Sequence, residues 1–150
     1  MRHRFWPLIL TSALAACGQP GAIEVEDAWM RDTVGGTANA AVFMTITSPA
    51  ADRLVAASAP ATVASRTDLM TMRSDANTMA MIYLDAIEIP AGEPVSLNPA
   101  GLHVWLEGLV RPLRAGETFP LSLQFENAGR HDVNVTVIPP AAPMPAGEGM

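Results

Sequence analysis

The sequence predicts an all-β domain, either a sandwich or a barrel. Three observations carry this expectation. Short apolar runs recur along most of the chain, turn-forming clusters separate them, and no stretch of useful length has the apolar period of an amphipathic helix. The candidate strands are residues 23–25, 40–47, 53–59, 68–72, 79–84, 94–97, 102–106, 119–124 and 132–137. Between them lie Gly35-Gly36, Ser48-Pro49, Pro90-Ala91-Gly92, Asn98-Pro99-Ala100-Gly101, Arg114-Ala115-Gly116 and Asn127-Ala128-Gly129. Short strands at this spacing belong to sandwiches and barrels.

Length and composition bound the function. The chain has 150 residues, enough for one domain with a real core and too few for two. It is 49% apolar, and its mean hydropathy of +0.22 says that most of it can be buried. Nine basic residues face fifteen acidic ones, giving a formal charge of -6 and an isoelectric point near 4.9. A phosphate backbone needs a basic face, so no nucleic-acid partner is expected. All the basic residues are Arg, and without Lys there is no P-loop or Schiff-base chemistry. The single Cys excludes an internal disulfide, a CxxC motif and a Cys-rich metal centre. No Ser/His/acid arrangement, triad of metal-binding His or nucleophilic thiol is present, so no enzyme is expected. Nine Met beside three His stand out.

The N-terminus reads as an address and an anchor. Arg2, His3 and Arg4 precede a short apolar run from Phe5 to Leu14, too short to span a bilayer and suited to a signal peptide. Leu14-Ala15-Ala16-Cys17 resembles the bacterial lipobox. That resemblance implies cleavage of residues 1–16 and lipidation of Cys17, which then holds the protein on the outside of the cytoplasmic compartment, in the periplasm, at a bacterial membrane. Residues 17–22 form a short tether, residues 23–138 the folded domain, and residues 139–150 a Pro/Gly/Met-rich tail expected to be disordered.

Chemistry concentrates in two places. Met70, Met72, Met79 and Met81 flank the polar, turn-like segment from Arg73 to Thr78. Alternation puts 70 and 72 on one face of a strand, and 79 and 81 on one face of the next. A hairpin centred on that turn places Met70 opposite Met81 and Met72 opposite Met79, with Cβ atoms roughly 4.5–5.5 Å apart. Thioether sulfur is a soft ligand suited to Cu(I). Met also fills gaps in cores, so spacing alone leaves packing as the commoner explanation. The second place is Leu102-His103-Val104-Trp105-Leu106, where His103 and Trp105 share a side. Imidazole is the other common copper ligand where thiolates are scarce. His131 reads as an exposed turn residue and is assigned to no site.

From residue 23 to 137 the chain resembles the periplasmic copper chaperones of the PCu(A)C type, which deliver Cu(I) to the CuA centre of cytochrome oxidase. Val25-Glu26-Asp27-Ala28-Trp29, Ile87-Glu88-Ile89-Pro90-Ala91-Gly92, Gly108-Leu109, Arg111-Pro112-Leu113 and Gly116-Glu117-Thr118 carry the resemblance. It implies a cupredoxin-like Greek-key β-sandwich. It also implies a motif of His, ten residues, Met, twenty-one residues, His, one residue, Met. Here Met70 stands at the first His, Met81 and His103 keep the next two positions, and Trp105 stands at the last Met.

The substituted set, Met70, Met81 and His103, still offers two thioethers and one imidazole for a Cu(I) ion. Trp105 is a candidate cation–π cap, with Met72 and Met79 close by. Losing one imidazole disfavours Cu(II). The resemblance thus implies a tethered carrier passing Cu(I) to an acceptor protein, such as a cytochrome oxidase subunit or its assembly factors. The opposing reading is a metal-free interaction lipoprotein that kept the fold and uses the Met/Trp surface for docking.

Overall fold

Alternating buried and exposed residues build ten strands in the computed structural model, which describes residues 21–145. They are β1 (Glu24–Arg31), β2 (Asn39–Thr47), β3 (Asp52–Ser58), β4 (Ala64–Asp75), β5 (Thr78–Leu84), β6 (Ile87–Ile89), β7 (Val95–Leu97), β8 (Leu102–Leu109), β9 (Thr118–Phe125) and β10 (Gly129–Ile138). β9 shows the rule most cleanly. Phe119, Leu121, Leu123 and Phe125 are buried, while the residues between them face outward. The fold is all-β, as expected.

The strands pair in the order β5-β4-β8-β2-β1-β10-β9-β3-β6, with β7 added to β2. The ladders are antiparallel except β1/β10, where Trp29, Met30 and Arg31 run parallel to Thr136, Val137 and Ile138. β3 and β4 lie far apart along that path, yet a short loop joins them and the Ala59 N–H donates to Thr67 Oγ1 at 3.1 Å. The sheet therefore doubles over, and side chains from both limbs, such as Leu54 and Leu123 on one and Val42, Leu69 and Leu106 on the other, fill one core.

An irregularity in β1 decides which side chains reach the second face of the sheet. Asp27 takes a positive φ of 51°, and the β1/β2 register slips by one residue between Glu26↔Thr45 and Trp29↔Phe43. The bulge reverses the facing of the rest of β1. Met30 enters the core, and Trp29 turns to the opposite side of the sheet beside Phe43.

Several sequence expectations are corrected. Residues 87–89 form a strand, held by pairing with β3 through Ile87↔Leu54 and Ile89↔Asp52. β4, β8 and β1 run beyond the expected limits. His131 lies within β10, half-buried opposite Leu123, because the Asn127-Ala128-Gly129 turn is tight and strand pairing begins at Gly129. At the start of the expected tail, Arg31 Nη1 donates to the carbonyls of Pro140 at 2.7 Å and Ala142 at 3.0 Å. The expected signal peptide and Cys17 lie outside the described residues, as do residues 146–150. No helix among the described residues is long and apolar enough to cross a membrane.

Candidate metal-binding face

Trp29, Phe43, Met70 and His103 are buried, yet none of them belongs to the main core. They occupy the other face of the β1-β2-β8-β4 limb, where cross-strand pairing aligns them. Trp29 pairs with Phe43, and His103 pairs with Met70. The ring centroids of Trp29 and Phe43 are 4.8 Å apart, those of Phe43 and His103 6.3 Å, and those of His103 and Trp105 6.0 Å. The Arg31 guanidinium carbon lies 5.3 Å from the Trp29 ring centroid, at the far end of this aromatic row.

His103 is the centre of the face. It is 3% exposed. Its Nδ1 lies 3.0 Å from the Gly101 carbonyl oxygen. A carbonyl only accepts, so Nδ1 carries a proton, and in the neutral imidazole Nε2 is the nitrogen with the free lone pair. Nε2 is buried and has no hydrogen-bond partner among the described residues. Buried polar atoms are usually satisfied, and an imidazole whose other nitrogen is tied to a backbone carbonyl is oriented as metal-binding histidines are.

The methionines divide by depth. Met70 is 3% exposed, directly opposite His103 on one side and Tyr83 on the other. Met72 is half-buried, whereas Met81 is 40% and Met79 61% exposed. The hairpin register differs from the expected one. Met72 stands opposite Met81, Met70 opposite Tyr83, and Ser74 opposite Met79. The reason is the turn: Ala76 and Asn77 both take positive φ, 33° and 92°, closing a two-residue loop with Asp75 opposite Thr78. A shift of two residues preserves facing, so Met70, Met72, Met79 and Met81 still share the face of His103.

Trp105 is half-buried, between Ala41 of β2 and Asp68 of β4. Asp68 is held by Arg66, whose Nε lies 2.8 Å from Asp68 Oδ2. Hydrogen bonding to Asp68 and its charge push the Arg66 guanidinium further into its charged state, so this carboxylate is engaged in an ion pair. No three His, Cys, Asp or Glu side chains gather as a metal site among the described residues. An ion on this face would depend on thioether sulfur and one imidazole, a soft set. Sequence reasoning missed Gly101 as the orienting acceptor, and Trp29 and Phe43 as the packing behind His103. The apolar run Val42-Phe43-Met44, with no polar alternation, was the available signal of a strand buried on both faces.

Known proteins share this architecture. The copper-bound PCuAC domain from PmoF2 matches with a TM-score of 0.62 and 26% identity, covering 81% of this chain and 97% of that one. The solution structure of CuI-DR1885 from Deinococcus radiodurans matches with a TM-score of 0.65 and 30% identity, covering 84% of this chain and 85% of that one. A protein described as "Putative lipoprotein Lxx21020", from Leifsonia xyli subsp. xyli (strain CTCB07), is 28% identical over 121 residues, 79% of this chain and 71% of the relative. The family described as "Putative lipoprotein LpqE-like" matches residues 23–137, which takes in nearly every strand. The chain is therefore a member of the LpqE-like family, built on the fold of the PCuAC copper-chaperone domains.

Proposed function

We propose that this protein is a membrane-tethered, extracytoplasmic Cu(I) chaperone with a cupredoxin-like Greek-key domain. It carries the ion as cargo on Met70, Met81 and His103, with Trp105 against it. One observation carries the reading: the buried, unpartnered Nε2 of His103, with the ring fixed by the Nδ1–H bond to Gly101 and standing in register with Met70. Buried packing histidines usually have both nitrogens satisfied. Two thioethers and one imidazole suit trigonal Cu(I), and the missing second imidazole disfavours Cu(II). The copper-bound states named for the similar PCuAC domain of PmoF2 and for DR1885 support the choice of cargo.

The work asked of the residues is modest. His103 and Met70 hold the ion away from water, and Met81, 40% exposed, is the ligand an acceptor reaches first. Release then proceeds by ligand exchange, with no covalent bond to make or break in the protein. An apo acceptor with thiolate or imidazole ligands, such as a copper centre of cytochrome oxidase or one of its assembly factors, fits this exchange. The family's lipoprotein description supports a lipid anchor at Cys17, which the short tether would keep near such a membrane-bound acceptor.

The test is a competition between the full-length chain, purified in detergent, and a colourimetric Cu(I) chelator. Tight retention of Cu(I) that falls in His103→Ala is the expected result. If the chain leaves all the Cu(I) with the chelator, the chaperone reading fails and the metal-free docking lipoprotein takes its place.

A further inference from the structure

Two methionines on this face have no role in the set of Met70, Met81 and His103. Met79 is 61% exposed on β5, the strand that ends the sheet path, and Met72 is half-buried beside it on β4. Packing does not explain Met79, since a core filler must be covered to contribute. The ladder places Met72 directly opposite Met81, and Met79 lies two residues from Met81 on the same face, diagonal to Met72. Directly opposed Cβ atoms lie roughly 4.5–5.5 Å apart and diagonal ones within about 7–8 Å, distances that flexible thioether arms can close around one ion. The other neighbours on this face are Ser74, Met70 and Tyr83, so no carboxylate adjoins the three sulfurs to favour a hard cation.

We propose that Met72, Met79 and Met81 form a second, outer soft-metal site. It is a three-thioether trigonal centre for Cu(I) or Ag(I) at the open end of the β4/β5 hairpin, separate from the imidazole of His103. Met81 belongs to both sets, because it is also diagonal to Met70 in the same ladder. An ion can therefore move between the sites while keeping Met81, exchanging Met72 and Met79 for Met70 and His103. The gradient of exposure from 61% at Met79 to 3% at Met70 and His103 gives that movement a direction, from solvent inward on loading and outward on release. The outer site stands on its own geometry; only its use as a loading station rests on the chaperone reading.

The experiment titrates Ag(I), a diamagnetic soft ion, into the full-length chain with methyl-labelled methionine, following the methyl resonances. In wild type the Met70 and Met81 methyls are expected to shift with the first equivalent, and those of Met72 and Met79 with a second, weaker one, for which the Met81 sulfur bridges the two ions. Met72→Leu/Met79→Leu, which keeps volume, should lose the weaker equivalent and retain the tight one. His103→Ala should do the reverse. If the Met72 and Met79 resonances never move, or the double variant keeps both equivalents, the outer site is overturned and the inner one survives. If only the weaker equivalent is seen in wild type, the chaperone site fails and the outer site stands.

Discussion

His103 stands directly opposite Met70 across the β8/β4 ladder, and each is 3% exposed, so an imidazole and a thioether are buried side by side on neighbouring strands. That pairing makes single substitutions informative. Met70→Leu keeps volume and should cost less than about 1.5 kcal/mol of stability. Its Cu(I) affinity should nonetheless fall, because a three-ligand site has no spare ligand. His103→Ala and Met81→Leu should weaken binding as well, measured by chelator competition on each variant. Equal retention in all three would put the ion elsewhere.

How far the sequence reveals this site depends on the kind of relation involved. Facing is legible, because strand alternation is local: His103 with Trp105, and Met70 with Met72, lie as spacing dictates. Register is less so. The Met70/Tyr83 and Met72/Met81 pairs depend on a two-residue turn at Ala76-Asn77, and neither residue is glycine, the usual sign of a positive φ. Nonlocal packing is hidden altogether. Trp29 reaches Phe43 because Asp27 bulges β1, and a non-glycine residue at positive φ leaves little trace in sequence. β6 is hidden for another reason. Three residues, Ile87–Ile89, are too few to show a period, and the strand exists because β3 offers it an edge.

Asp52 should control acid stability. It is buried at the start of β3, and its carboxylate accepts the N–H groups of Arg53 at 2.8 Å, Asn127 at 2.9 Å and Ala128 at 2.9 Å. Burial alone would raise its pKa, but those backbone bonds and the Asn127 side chain together hold it below the ordinary aspartate value. A depressed folded-state pKa contributes stability that is complete above the unfolded value and disappears as pH falls through the folded one. Asp52→Asn should cost roughly 1.5–3 kcal/mol at neutral pH, the range for hydrogen bonds to a charged group. It should also flatten the loss of stability below about pH 4, where an unfolded aspartate titrates. Urea unfolding at pH 7 and pH 3 measures both effects, and parallel curves for variant and wild type would refute the assignment.

Cys17→Ala should release the protein from the membrane and block processing. The sole Cys follows Leu14-Ala15-Ala16 directly, and several acyl chains on one residue anchor stably where one alone does not. Fractionation after labelling with a radioactive fatty acid decides the matter. A wild type that is processed but carries no label would contradict the anchor.

Trp105 should report the metal. It shares a strand face with His103, with ring centroids 6.0 Å apart and planes inclined at 71°, so an ion on Nε2 is expected close to the indole. Adding Cu(I) or Ag(I) should change Trp emission, and Trp105→Phe should remove most of that change. Trp29 supplies a nearly constant background, since it is 1% exposed and packed on Phe43. Phe has a weaker π-face than Trp, so affinity should fall by roughly 0.5–2 kcal/mol. Trp105→Met adds a third thioether and should recover or exceed wild-type Cu(I) affinity, while Met70→His adds an imidazole and should raise affinity for Cu(II). Emission and affinity both unchanged in Trp105→Phe would make the indole a packing residue, with no part in holding the ion.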